Sequence, residues 1–349
     1  MKRSTHLRPL AGLSVLALAL TACSGDDNSD GSSDNQGSTA AAADGDADPV
    51  TLSFAHSYAT THPHQTCGAE LVKEQVEGAD VGLEIEIFPD SSLGGHAERF
   101  ASVVSGDIDI DIQGPSEISQ TFEPVGILDA AYAFDDADHL FGFFESEAGA
   151  ELGEQIIDGS GARIITPWYF GMRHFTSNTP ITTPDDFSGL RMRFPDTPQF
   201  LQNAEALGAS PTSVAFEEVY ISLQQGVVDG QENPIPTIDS LALPEVQSHL
   251  NLTGHMVGIH MIVANEEKWQ SLNEEQQEVL QSAFEEVRDT NRGCIEDAEN
   301  GLVEEWQSEG TMEIVEPDID SFRTKSEEFF TNELEGDKLE LYQTIREQA

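Results

Sequence analysis

GLRMRFPDTPQFLQNAEALGASPTSVAFEEVYISLQQGVVDGQENP, residues 189–234, is the stretch whose reading decides the fold. Arg191-Met192-Arg193-Phe194 alternates polar and apolar, as a half-buried strand does. Pro195 and Pro198 stop that strand. Thr197 or Asp196 can cap a helix carrying Phe200, Leu201, Ala204 and Leu207, which Gly208 closes. Ser213 to Phe216 reads as a short strand. Glu217 and Glu218 then fall in the first turn of a second helix, where the positive end of the helix dipole favours carboxylates. Phe216, Val219, Tyr220 and Leu223 keep helical spacing up to Gly226. Val227 to Gln231 reads as a third strand, ended by Asn233-Pro234. Strand and helix alternate, so the expected class is α/β with a largely parallel sheet.

The words of this stretch go further than its pattern. R-F-P, followed by G-A-S-P-x-x-x-A-F-x-E-V-Y-x-x-L-Q-x-G-V-V-D-G-Q-E-N-P, closely resembles the signature of the DctP-like solute-binding proteins of tripartite ATP-independent periplasmic (TRAP) transporters. Two further segments match in order: P-D-S-S-L-G-G-H-A-E-R-F-A-S-V-V-S-G-D-I-D from Pro89, and G-M-R-H-F-T-S from Gly171. The resemblance covers nearly all of the chain from Val50. It implies a two-lobed periplasmic-binding-protein-like fold, with crossing hinge strands and a long bracing helix.

The organisation expected on that basis is as follows. Residues 1–22 are a signal segment: Lys2, Arg3 and Arg8 precede an apolar run, Leu10 to Leu20, that is too short to span a bilayer. Leu20-Thr21-Ala22-Cys23 resembles a bacterial lipobox, which implies cleavage before Cys23 and lipidation of its thiol. Residues 23–49 are a Ser-, Gly- and Asp-rich linker with too little apolar surface to fold. Lobe I takes 50–170 plus about 258–305, the latter including the bracing helix; lobe II takes 171–257; 306–349 is a helical segment packed on the lobes. Ala162 to Thr176 and Leu250 to Ala264 are long enough to pass between lobes.

The chain carries 64 Asp and Glu against 16 Lys and Arg, a formal charge of −48. That balance argues against binding nucleic acid or anionic lipid through a basic surface. There are three cysteines. With Cys23 lipidated, Cys67 and Cys294 remain as a pair in an oxidising compartment, and a disulfide is expected between the first helix and the long late helix. Two buried free thiols are the alternative.

With cations so scarce, Arg193 and Arg173, each set in or just beyond an apolar strand, stand out. A guanidinium grips a carboxylate through two parallel hydrogen bonds. From composition alone, either arginine is better explained by pairing with one of the many acids, since structural ion pairs are common. The resemblance points the other way for Arg193, because the family's carboxylate-binding arginine is that of its R-V-P motif; Val is replaced by Phe194 here. Alternation would put Arg191 on the same face, and only the resemblance chooses between them. Asn233, Gln231 and Glu232 belong to the D-G-Q-E-N-P match, Glu232 with the option of orienting an arginine. Phe216 is a candidate cleft wall, with core packing as its other reading; Trp168, Tyr169 and Phe170 could supply a stacking wall, of which period two lets at most Trp168 and Phe170 share a face. Ser57 and Glu117 lie on loops beyond strand ends, where open α/β sheets place ligands. His56, His62 and His64 read as surface loop histidines, since nothing nearby completes a metal-ligand spacing. No nucleophile elbow, HExxH helix or phosphate loop occurs, and no cofactor or metal is expected.

The expected function is therefore capture of a small organic acid outside the cytoplasm and its delivery to the permease subunits, with the protein held to the cell membrane by lipid. The receptor of an ATP-driven importer, or a secreted enzyme on a similar scaffold, are the alternatives. C4-dicarboxylates, 2-oxo acids, sugar acids and ectoine-type zwitterions all supply a carboxylate. Acids spread along the whole chain repel one another less in concentrated salt. Melting temperature is accordingly expected to rise from dilute buffer to molar NaCl or KCl; a flat or falling value in differential scanning fluorimetry would remove the saline-medium reading.

Overall fold

The computed structural model describes residues 49–348; the expected signal segment, Cys23 and the linker up to residue 48 lie outside the described residues. One mixed sheet runs through them, built from β1 (Val50–Ala55), β2 (Leu83–Phe88), β3 (Ile110–Gln113), β4 (Ala162–Ser177), β5 (Arg191–Phe194), β6 (Ser210–Ser213), β7 (Gly230–Pro234), β8 (His249–Asn265) and β9 (Glu313–Val315). The strand order is β2-β1-β3-β8-β4-β7-β5-β6, with β9 added beside β8.

The register shows how two lobes share this sheet. The late part of β8, Met261 to Ala264, pairs with β3, while its first residues, His249 to Asn251, pair with β9. The late part of β4, Arg173 to Ser177, pairs with β7. β4 and β8 pair antiparallel with each other from Ala162–Asn265 to Ser177–His249. The same two strands thus serve as central strands of both halves. Strands β1, β2 and β3 run parallel on one side, and β5, β6 and β7 on the other.

The β4–β8 ladder breaks register between Tyr169 and Gly171. Gly171 has φ +118°, a conformation closed to most side chains. A Cβ at Gly258, its partner in the ladder, would sit 2.6 Å from the Gly171 carbonyl oxygen. Glycine is therefore required on both strands where the lobes meet.

The helix Glu274–Glu309 spans both halves. An Asn273–Gln276 capping box starts it and Gly310 in the left-handed region ends it. Near its start, the Phe284 carbonyl accepts the Trp168 indole N–H at 3.2 Å, and Phe284 packs with Leu52, Phe54 and Val72 under the first lobe. Further along, Glu299 accepts the Met172 backbone N–H at 2.7 Å. Trp306, close to its end, is buried with Val219, Leu223 and Leu250 in the second lobe. Two further helices, Ile319–Glu333 and Gly336–Glu347, bury Phe322, Phe330, Tyr342 and Ile345.

Three boundaries differ from those expected. The strand read at Ser213 to Phe216 lies earlier, at Ser210–Ser213; it is a mostly exposed edge strand containing Pro211, and has no apolar alternation to reveal it. The strand read at Val227 to Gln231 is Gly230–Pro234, buried throughout, whereas Val227 is exposed. Its polar residues Gln231, Glu232 and Asn233 are interior because each is hydrogen-bonded there. The bracing helix continues to Glu309, and β9 follows it; three residues are too few to show a period.

Cys67 and Cys294 form a disulfide that ties the helical segment after β1 to the bracing helix. It closes a loop across 227 positions of sequence. Thiol titration of the denatured, unreduced mature protein should find neither Cys67 nor Cys294 reactive. Replacing both with serine should lower stability by about 2 to 5 kcal/mol in urea unfolding.

Candidate functional site

A cavity of about 270 Å³ opens between the two halves of the sheet. Its second-lobe side is built on the ends of β4, β5 and β7. Arg173 on β4 and Glu232 on β7 are both almost fully buried and form a forked pair, with Arg173 Nη2 donating to Glu232 Oε1 at 2.8 Å. The same nitrogen donates to the Glu232 carbonyl and to Asn233 Oδ1 at 3.0 and 3.1 Å. His255 Nε2 lies 3.4 Å from the other Glu232 oxygen. Burial alone would raise the Glu232 pKa, but Arg173 and His255 pull it down to about 2. Burial works against the Arg173 charge as well, yet Glu232 outweighs it and holds the guanidinium above its ordinary pKa. Behind the pair, Asn233 Nδ2 donates to Gln231 at 2.6 Å and Gln231 Nε2 to Thr176 at 3.1 Å, so the row is locked.

Arg193, on β5, is treated differently. It is 2% exposed and lines the cavity. Its Nε donates to the Val214 carbonyl at 2.9 Å. Among the described residues no carboxylate lies within 4.0 Å of its guanidinium, and neither terminal nitrogen makes a hydrogen bond. Burial lowers its pKa to about 10, with Glu232 opposing and Arg173 reinforcing the shift. A buried cation without a counter-charge is costly, and this one faces open space. Arg191, its neighbour on the strand, is exposed and paired with Asp229 at 2.7 Å. The structure therefore separates the two arginines that alternation could not.

The first-lobe side carries Tyr58, His96, Glu117 and Asp129. The short helix Pro115–Ile118 places Glu117 directly beyond β3. Asp129 ends the turn of helix Glu123–Asp129 and accepts the Ser116 backbone N–H at 2.9 Å. Burial, together with the neighbouring Asp129 charge, pushes Glu117 up to about 7; burial likewise raises Asp129 to about 6, against its bonds from Ser116. His96 Nδ1 and, from the second lobe, Thr197 Oγ1 are buried and have no partner among the described residues. Phe170 and Phe200 complete the walls and flank the Arg173 guanidinium, at 5.7 and 5.2 Å.

Phe216 reaches across from the second lobe. Its ring meets His96 and Tyr58 edge-on, at 5.8 and 6.2 Å. Ser91 Oγ donates to Glu217 at 2.7 Å, another contact that joins the lobes over the cavity.

The sequence-derived candidates sort into two sets. Arg193, Arg173, Asn233, Phe216 and Glu117 line the cavity. Gln231 and Glu232 do not; they stand behind Asn233 and Arg173 and hold them. Trp168 points to the bracing helix, and Phe170 supplies the wall instead, as period two permits. Ser57 is buried and accepts from Arg99 Nη1 at 2.8 Å. Arg99 itself is paired with Asp111 at 3.1 Å, wholly inside the first lobe. His56, His62 and His64 are not on the surface: each is at most 1% exposed. They pack with Tyr58 and Phe170, and His64 Nε2 lies 2.9 Å from His260, whose other nitrogen lies 2.8 Å from the Tyr58 hydroxyl. The local sequence is polar enough to read as exposed; only the chain crossing beneath it buries these rings. Burial, with the neighbouring imidazoles, holds His64 and His260 well below the usual histidine range and keeps them neutral. Among the described residues no group of three or more His, Cys, Asp or Glu is arranged to hold a metal ion. Tyr58, His96, Asp129, Thr197, Phe200 and His260 were missed. A single acid inside the apolar run Ile127-Leu128-Asp129-Ala130, and a single histidine inside Ile259-His260-Met261-Ile262, were the available signals.

Residues 54–336 match the family described as bacterial extracellular solute-binding protein, family 7 (DctP). The chain belongs to this family. Its members are TRAP-type solute receptors that act outside the cytoplasm. The chain is 33% identical over 255 residues to the sialic acid-binding periplasmic protein SiaP of Vibrio cholerae, spanning 73% of this chain and 78% of that one. It is 30% identical over 278 residues to the C4-dicarboxylate-binding periplasmic protein DctP of Rhodobacter capsulatus, spanning 77% and 81%. Among solved structures, a TRAP periplasmic solute-binding protein of Roseobacter denitrificans with bound L-galactonate superposes with a TM-score of 0.78 at 29% identity, covering 85% of this chain and 98% of that one.

The forked pair beneath the cavity yields a stability test. Glu232→Gln strands the Arg173 charge in the interior and should cost about 3 to 5 kcal/mol in urea unfolding. A loss under about 1 kcal/mol would show that Arg173 does not depend on Glu232.

Proposed function

We propose that the cavity captures a small organic acid by its carboxylate, and that Arg193 is the residue that takes it. One observation carries this reading: Arg193 is buried, faces the cavity, and has a free guanidinium fork among the described residues. Arg173 and Asn233 stand beside it, already oriented by Glu232 and Gln231. A carboxylate at the Arg193 fork would complete two parallel charge-assisted hydrogen bonds in a site of low dielectric, where they are strongest. Phe216 and Glu117 are the further contacts. Glu232 and Gln231 act through their neighbours, and Trp168 and Ser57 support the walls at one remove. The nature of the bound acids in relatives supports the same class: succinate in a Shewanella oneidensis protein 26% identical to this chain, and D-erythronate in a Polaromonas protein 28% identical.

Lobe I is taken as 50–170 with about 258–305, and lobe II as 171–257, with 306–349 packed against both. The lobes close on the ligand about β4 and β8 at Gly171 and Gly258, in the manner of hinged binding proteins. Closure brings Ser91 to Glu217 and Phe216 to Tyr58, excluding water from the ion pair. The loaded form delivers its ligand to the membrane permease subunits, and no bond in the ligand is made or broken. Lipid attached at Cys23, through the 23–49 linker, holds the receptor at the membrane surface.

The test is differential scanning fluorimetry of the mature protein against an organic-acid library. At least one carboxylate class should raise the melting temperature by mass action. Arg193→Ala should fold normally and lose at least about 100-fold in affinity, the scale of breaking a buried charge-assisted contact. Near-native affinity in that variant would remove Arg193 from the role.

A further inference from the structure

The charges around the cavity are unequal, and this bears on which acids fit. Two arginines line it, Arg173 and Arg193; five carboxylates do, those of Glu98, Glu117, Asp129, Asp196 and Glu217. Arg173 is already matched by Glu232. Only Arg193 is uncommitted, so one ligand carboxylate finds a counter-charge and a second does not.

Glu98, Asp196 and Glu217 are exposed, and the charges that remain inside the cavity sit on opposite sides. Arg173 and Arg193 come from the second-lobe strands β4 and β5. Glu117 and Asp129 come from the first lobe, on the short helix and the turn that follow β3. The Glu117 side chain makes no hydrogen bond to another described residue; it folds back over Gly114, where a Cβ would meet one of its oxygens at 2.5 Å. Asp129 is 3% exposed and spends one oxygen on Ser116, by the backbone N–H at 2.9 Å and the hydroxyl at 2.5 Å. Its second oxygen makes no such bond.

Among the mostly apolar remainder of the lining, two polar side-chain atoms are buried without a partner. Thr197, 4% exposed, presents a hydroxyl with no partner, and His96 presents Nδ1 with none. A hydroxyl can donate and accept, whereas the His96 imidazole, held neutral by burial and then by the charges of Arg99, Arg193 and Arg173, takes one role per nitrogen in each tautomer. An ammonium group only donates, so it satisfies the carboxylates and leaves Thr197 half served. A second carboxylate only accepts, and it would sit against Glu117 and Asp129. Ligand hydroxyls do both: they donate to the carboxylates and accept from the threonine.

We infer that the ligand is a hydroxylated monocarboxylate, an acid of the aldonate type, and that Glu117 and Asp129 exclude a second carboxylate from the end of the cleft opposite Arg193. This rests on the reading of Arg193 as the carboxylate site. It assigns the two acids to specificity: they act against the wrong ligand by repulsion and for the right one by accepting its hydroxyl protons.

Titration calorimetry at about pH 8, above the raised pKa values of Glu117 (about 7) and Asp129 (about 6) so that both are ionised, tests it with five probes: D-gluconate, L-galactonate, succinate, pyruvate and glycine betaine. The wild-type protein should bind at least one aldonate no less than about tenfold more tightly than any of the other three. Glu117→Gln, which removes the charge from a side chain that holds no other residue in place, should tighten succinate and weaken the aldonate, shrinking that preference by at least about tenfold. Wild-type protein that binds succinate, pyruvate or betaine as tightly as the aldonates overturns the inference, as does an unchanged preference in Glu117→Gln. If that tight binding is still lost in Arg193→Ala, the carboxylate site stands and only the specificity assignment fails. If no probe binds, or binding survives Arg193→Ala, the carboxylate site itself is wrong and the inference falls with it.

Discussion

A guanidinium in a protein interior must be paired, and the site is built on that constraint. Arg173 and Glu232 meet between β4 and β7, each removed from water, each with an acceptor or donor count that the other nearly fills. The pair fixes the edge at which three strands converge, because His255 on β8 reaches the same carboxylate. Asn233, Gln231 and Thr176 extend the lock along β7 and β4. Replacing such a pair by apolar residues need not weaken a protein, so its retention here is better understood as positioning. It leaves a strand of polar residues rigid inside the molecule, with Asn233 presented to the cavity. Against that fixed background Arg193 is conspicuous as the arginine whose terminal nitrogens are left open.

The route from fold to site runs through two strands and one helix. β4 and β8 belong to both halves of the sheet, and the proposed closure turns about the residues where their ladder is irregular. Gly171 and Gly258 lie there: a Cβ at Gly258 would meet the Gly171 carbonyl, and one at Gly171 would meet Pro234 and Glu299. The helix Glu274–Glu309 limits the motion further, since it is anchored under the first lobe through Phe284 and the Cys67–Cys294 bond and under the second through Trp306. A cleft that closes on a small solute requires this combination of a narrow pivot and a stiff brace.

Electrostatics complete the division of labour between lobes. Inside the cavity the second lobe supplies Arg173 and Arg193 and the first supplies Glu117 and Asp129. The buried histidines near the pivot are neutral, held so by burial and by one another, and they act as polar packing around Tyr58 rather than as charges.

Much of this was legible along the chain. Periodicity located β2, β4, β5, β8 and the bracing helix, because each is long or alternates on a half-buried surface. Scarcity of cations singled out Arg193 and Arg173, and the short words R-F-P and D-G-Q-E-N-P named the family. What lay out of reach were features that need two distant segments at once. β7 is a buried strand of polar residues, recognisable only when its hydrogen-bond partners on β4 are in place. Trp168 and Phe170 share a face by sequence, and only packing against the bracing helix turns one into core and leaves the other as cleft wall. Arg191 and Arg193 are equivalent by alternation; the acid at Asp229 claims the first and leaves the second free. Sequence determines which side chains a strand or helix can offer, since backbone geometry sets the period. Which of them are paired, buried or left open to a ligand is decided by tertiary structure, because a buried charge or dipole is tolerated according to the partners that the fold brings to it.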